Sequence, residues 1–124
     1  MNLKQVYLLS KSASYEEFMK AKFKKAAMKY LRDLATELKL ETGTFDVRFN
    51  AGGPAVSGDA TLHHEKFYFT IGEFGVMWRT CKGRKDYVGG GNRWAIGGNR
   101  WAIGFVEETK DADLIEQIFR VLKN

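Results

Sequence analysis

The stretch KFYFTIGEFGVMWRTC, residues 66–81, decides the fold. Phe67, Phe69 and Ile71 alternate with Tyr68 and Thr70, a period of two that lays the apolar side chains on one side of an extended strand. Beyond Gly72 the chain reverses within a few residues, and GVMWRTC, from Gly75, is extended again. So short a connection joins antiparallel neighbours, because a parallel crossover needs a dozen residues or more. An antiparallel sheet is therefore the first layer of the fold.

Working toward the N-terminus, TFDVRFN alternates Phe45, Val47 and Phe49 with Asp46 and Arg48, and AVSGDATLH follows a Gly-Gly-Pro break. These add two strands, and the short links make a four-stranded meander. Upstream the period lengthens. Met19, Phe23, Ala27, Tyr30, Leu34 and Leu38 recur every three or four residues, the stripe of an amphipathic helix. Ser14 and Glu17 form the S-x-x-E pattern of a capping box at its start, and Gly43 can supply the left-handed residue that ends it near residues 41–43. VYLL, residues 6–9, reads as a short edge strand. At the other end Thr109 or Asp111 can cap a helix with Leu114, Ile115, Ile118, Phe119 and Leu122 along one stripe; acids open it and Arg120 and Lys123 close it, in accord with the helix dipole.

The expected architecture is α+β: a four-stranded antiparallel meander packed on one face by a long N-terminal helix and a C-terminal helix. Its other face, carrying Arg48, Ser57, Asp59, Thr61, Tyr68, Thr70 and Arg79, should be partly open. The 124 residues suit a single domain spanning 1–124, and 44% hydrophobic residues with one proline suit a folded chain. The single cysteine, Cys81, allows no internal disulfide. No signal peptide or run of some 20 apolar residues is read, so the expectation is a cytoplasmic protein with no membrane partner.

A heptapeptide is written twice between Gly90 and Gly104: GGNRWAIGGNRWAIG. An odd period turns the second copy of a strand to the opposite face, and paired glycines in a helix cost about 1 kcal/mol each relative to alanine. A Gly-rich loop or hairpin over residues 89–104 is expected instead. Folded about Gly97 and Gly98, it would set Ile96 opposite Asn99 and Trp94 opposite Trp101. A tandem duplication tolerated in a surface loop is the favoured account of the identity, since lengthening a loop costs little.

A net charge of +5 favours polyanionic partners. Lys22, Lys25, Lys29 and Arg32 share the polar face of the long helix, where they could follow phosphates or simply keep that face solvated. Arg79, Lys82, Arg84 and Lys85 precede the glycine-rich stretch, and Arg93 and Arg100 interleave with Trp94 and Trp101. Cations beside aromatic surfaces suit single-stranded or looped nucleic acid, with phosphates held by charge and bases by stacking. The expected function is a non-enzymatic nucleic-acid-binding module centred on this hairpin region, the helix stripe being secondary. The alternative is a protein-interaction factor, an inhibitor or modulator of a host complex, docking through the open sheet face or the Trp-bearing loop. Exposed strand edges also permit a homo-oligomer.

Other constellations point to less. His63, His64 and Glu65 lack H-E-x-x-H spacing and read as a polar turn. Cys81 stands among basic residues that would favour its thiolate, with no histidine placed by sequence to activate it. The three glycines at 89–91 have no phosphate-loop context. Neither cofactor nor metal is expected.

FDVRFNAGGPAVSGDATLH followed by RTCKGRKDYVGGGNRWA resembles small uncharacterised proteins carried by phages and other mobile elements, over Phe45 to Ala95. That resemblance implies an accessory role without specified chemistry, and a single copy of GGNRWA in the ancestral form. The order helix, antiparallel strands, helix also looks like that of double-stranded RNA-binding domains, but the segment TKDADLIEQ that opens the last helix is acidic where theirs is basic, so that function does not carry over.

Overall fold

The computed structural model describes residues 1–13, 17–51, 58–73, 75–86, 93–97 and 107–123. In chain order they form helices α1 (Leu3–Ala13) and α2 (Glu17–Glu37), strands β1 (Phe45–Asn50), β2 (Asp59–His64), β3 (Phe67–Gly72), β4 (Gly75–Thr80), β5 (Arg93–Gly97) and the two-residue β6 (Glu107–Glu108), and helix α3 (Asp111–Leu122). The strands lie side by side in sequence order, each antiparallel to the next. The four-stranded meander read from the sequence is the first part of this sheet, which β5 and β6 extend.

Period-two alternation sorts the strands as expected. Ala60, Leu62, Phe67, Phe69, Ile71, Val76 and Trp78 are buried on the helix-covered face, and Phe45, Val47 and Phe49 pack against them less completely. From the helices come Phe23, Ala27, Leu31 and Leu34 of α2, Leu3, Val6 and Tyr7 of α1, and Leu114 and Ile118 of α3. The hydrophobic effect thus bonds two layers along one seam. Among the described residues no helix is long and apolar enough to cross a membrane.

The N-terminal segment corrects the sequence reading. VYLL belongs to helix α1, not to an edge strand: Leu3, Val6, Tyr7, Ser10 and Ala13 are buried at helical spacing. Asn2 and Gln5 make a reciprocal capping box. The Gln5 amide donates to Asn2 Oδ1 (2.9 Å), and the Asn2 amide to Gln5 Oε1 (2.8 Å). A second cap comes from far along the chain, where the Asp111 carboxylate accepts the Leu3 amide at 3.1 Å and the Tyr30 hydroxyl at 2.9 Å. Asp111 therefore caps α1 rather than its own helix, whose N-cap position is Lys110 with no side-chain bond. Beside the carboxylate, Tyr30 is held well above the ordinary phenol range, first by burial and then by the Asp111 charge.

Helix α2 also stops earlier than expected. Lys39 takes the left-handed conformation (φ 56°), with its amide bonded to the Thr36 carbonyl (3.0 Å) and that of Leu40 to the Ala35 carbonyl (3.0 Å). This is a Schellman ending with lysine in the usual glycine place. It holds because Leu38 and Leu40, on either side of Lys39, pack into the core. Gly43 (φ 90°) serves the following turn into β1. Ser14, read as the α2 cap, lies outside the described residues.

The first copy of the heptapeptide supplies β5. Trp94 pairs with Met77 and Ile96 with Val76, so Ala95 is an extra residue, a β-bulge. The bulge resets the alternation, and Ala95 and Ile96 are both buried. Ile96 pairs with Val76 on one side and with Glu108 on the other; the expected hairpin about Gly97 and Gly98 falls on residues beyond 97 that lie outside the described ones. Asn99, Arg100 and Trp101 themselves lie outside the described residues.

Candidate functional site

Antiparallel register turns the open face into cross-strand rows. One row reads Asp46, His63, Tyr68, Arg79; the next reads Arg48, Thr61, Thr70, Met77, Trp94. With strands about 4.8 Å apart, the second row spans about 19 Å from the backbone of Arg48 to that of Trp94. Arg48 is exposed and Trp94 keeps 37% of its surface accessible.

Trp94 has a specific seat. Gly75 adopts φ +147°, and a Cβ there would meet the Ile96 carbonyl oxygen at 2.4 Å and indole Cζ3 at 3.0 Å. Glycine is required for the backbone angle and for the close approach of the ring to β4. In the first row Arg79 lies over the Tyr68 ring, 4.2 Å from its centroid, and is buried despite its charge. His63 meets the same ring edge-on at 5.2 Å.

The turn after β4 closes one end of this face. Its form is set locally: the Asp86 amide bonds to the Gly83 carbonyl (3.1 Å), and the Lys82 amide to Asp86 Oδ2 (3.0 Å). From it Arg84 reaches β1, donating to the Gly43 carbonyl at 2.6 Å and to Asp46 Oδ2. Between the turn and the sheet lies a cleft of about 270 Å³ lined chiefly by Asp46, Arg48, Thr61, His63, Tyr68 and Arg84. The hydrogen bond from Arg84 holds the Asp46 carboxyl below its ordinary range, aided by the charges of Arg84 and Arg48. Asp46 is therefore ionised, and two guanidinium groups outnumber it in the cleft. Burial pushes His63 down, opposed by its bond to the Gly83 backbone, with Arg79 and Arg84 lowering it further; it is neutral near pH 7.

The residues chosen from sequence meet several fates. Arg79 and Trp94 share the open face. Arg84 is committed to Asp46 and Gly43 within the chain, so it shapes the cleft wall instead of standing free for phosphate. Lys82 and Lys85 are exposed on the closing turn. Arg93 is on the helix-side face, its guanidinium 4.6 Å from the Trp78 ring, because neighbouring strand residues point opposite ways. Lys22, Lys25, Lys29 and Arg32 are exposed on the α2 face turned away from the sheet, and Lys29 pairs with Asp33 at 2.6 Å. The helix stripe and the open face thus lie on opposite sides of the two layers and do not form one surface. Arg100 and Trp101 lie outside the described residues.

Arg48 and Tyr68 were legible as members of the open face but not as site residues; the signal was their place in the alternation, not any local motif. His63 and His64 are not a turn. They end β2 and point to opposite faces, His64 lying 5.5 Å from the Phe67 ring and accepting the Lys66 amide at Nδ1 (3.1 Å). Cys81 also departs from expectation: burial pushes its thiol up, outweighing nearby Arg79, and Sγ donates to the His64 carbonyl. Among the described residues no group of His, Cys, Asp or Glu could hold a metal ion. Comparison of the chain with protein-family models, with curated proteins and with solved structures finds no match.

Proposed function

We propose that the open face of the sheet binds single-stranded nucleic acid. The observation that supports this most is the row that joins exposed Arg48 to half-exposed Trp94 across five strands, beside the stacked Tyr68 and Arg79. An indole seated on a glycine offers a fixed platform for a base, and bases of every kind have a face to stack. Arg48, Lys82 and Lys85 supply phosphate contacts at the opposite end. Buried Arg79 stiffens Tyr68 rather than meeting phosphate. On this reading the stacking site lies on the sheet face, and the α2 lysines contribute only nonspecific attraction.

Fluorescence anisotropy with labelled single-stranded DNA and RNA, across a salt series, tests this. Trp94→Ala should weaken binding by about 1–3 kcal/mol, the usual worth of one stacked base. Arg48→Ala should weaken it for all sequences and reduce the salt slope by about one. Affinity equal to that of an unrelated basic protein, or loss only when Lys22, Lys25, Lys29 and Arg32 are removed together, would refute the reading. A protein-docking role is the second reading, favoured by exposed Leu8 and Phe18 on the helical layer. It predicts weak salt dependence and a partner whose retention survives Trp94→Ala.

A further inference from the structure

We propose that the chain forms a twofold dimer in which β1 pairs antiparallel with β1 of a second copy, centred on Val47. Among the described residues β1 pairs with β2 alone, so its other edge carries no strand. The direction of its hydrogen-bonding groups follows from the sheet. The Cys81 amide bonds to the Lys66 carbonyl (2.9 Å), and since these two residues stand directly opposite one another in the register of β3 and β4, that place is a hydrogen-bonded rather than a non-bonded one of the ladder. Because such pairs alternate, Tyr68 faces β4, Phe69 and Leu62 face each other, Thr61 faces Arg48, and the backbones of Phe45, Val47 and Phe49 point outward from the sheet.

Those outward groups match a second copy of the same strand. With Val47 opposite Val47, the amides and carbonyls of Val47 bond across the axis, and Phe45 bonds with Phe49 at either end. Asp46 then stands opposite Arg48 of the second copy, twice, in the closer non-bonded positions where cross-strand side chains interact most. Both are on the open face in each copy, where Asp46 already holds Arg84 and lies 3.7 Å from its own Arg48, so Arg48 of the second copy would join the cations around each Asp46 carboxylate, opposite charges meeting in register. A shift by one residue would set Asp46 opposite Phe49 and lose both ion pairs. On the other face Phe45, Val47 and Phe49, only partly covered in one copy, would meet their counterparts. Asp46 and Arg48 line the cleft described above, so the dimer would bring two clefts together about its axis, each bordered by Arg48 of the other copy.

The test uses the full-length chain without nucleic acid, which separates it from the binding reading. Sedimentation equilibrium over a wide concentration range should show a monomer–dimer equilibrium. Arg48→Glu, a change at an exposed side chain, should keep the circular dichroism spectrum and weaken association about tenfold or more, by turning two attractions into repulsions. In a Cys81→Ser background, Val47→Cys should cross-link to a covalent dimer under mild oxidation, since bonded antiparallel pairs stand about 5.5 Å apart at Cα, within disulfide range. Phe49→Cys should not, because the register puts the two copies of residue 49 far apart. A monomer at all concentrations, a dimer indifferent to Arg48→Glu, equal cross-linking at both positions, or a monomer that captures an unrelated extended peptide at β1 would each overturn the proposal.

Discussion

At Gly75, one missing methyl group determines where the site's main aromatic can lie. Any side chain there is opposed by the positive φ and by the Ile96 carbonyl 2.4 Å from the would-be Cβ. Gly75→Ala should therefore destabilise the fold by about 1–3 kcal/mol in chemical denaturation, the range for overpacking, and should shift Trp94 fluorescence. Asp111 is a second such residue, joining the starts of α1 and α3 to Tyr30 of α2. Asp111→Ala strands the Leu3 amide and the Tyr30 hydroxyl, at a cost of about 1–3 kcal/mol for part-buried groups. Its readouts are melting temperature and faster amide exchange in the first turn of α1. His64 makes stability depend on pH. Burial lowers it from the ordinary value of 6.5, so on acidification the unfolded chain takes up the proton first. Its contribution is complete above that value and lost as pH falls through the folded one, when Nδ1 ceases to accept the Lys66 amide. His63 has the same sign; Asp46, lowered from 3.8, adds a separate loss at more acid pH. The melting temperature should fall from pH 7 to pH 5, and His64→Asn, which keeps an acceptor but does not titrate, should flatten part of that slope.

Among the elements, those carried by long periodic runs were the legible ones. Strands β1 to β4, α3 and the middle of α2 stand out because burial of one face forces a period on the sequence, and Phe67, Phe69, Ile71 and Trp78 obey it. The helix α1 was obscured by VYLL, which taken alone is a good strand; its Asn2 and Gln5 box was the available signal, three residues apart just before the buried run. The end of α2 was hidden because core packing of Leu38 and Leu40 overrides the reluctance of lysine to adopt positive φ. Strand β5 was legible only as one arm of a loop or hairpin, for a tertiary reason: the heptapeptide has no inward pattern of its own, and the waiting edge of β4 and a bulge at Ala95 make RWAIG a strand of the main sheet. Ordinary strand alternation, before the bulge, explains why Arg93 and Trp94, adjacent in a basic and aromatic stretch, serve different faces. Arg84 likewise gave no hint in sequence that it would be spent on Asp46, since that contact joins the two ends of the meander.

For the whole molecule, the duplication has a simple structural consequence. Deleting residues 97–103 joins the first copy to Gly104 and restores RWAIG unchanged, so β5 keeps its sequence while the link to β6 shortens to Phe105 and Val106. If the second copy is a tolerated insertion, this deletion should change stability by about 1 kcal/mol or less and leave oligonucleotide affinity intact; loss of binding would make the second copy part of the site. The two-layer build makes a sharper demand, because it separates the helix stripe from the open face and only one of them can be the principal site. Chemical-shift mapping of the isotopically labelled protein during titration with a single-stranded oligonucleotide decides between them. The account predicts perturbations concentrated at Arg48, Thr61, Tyr68, Thr70, Met77 and Trp94. Perturbations confined to Lys22, Lys25, Lys29 and Arg32 on α2, or none at saturating oligonucleotide, would contradict it.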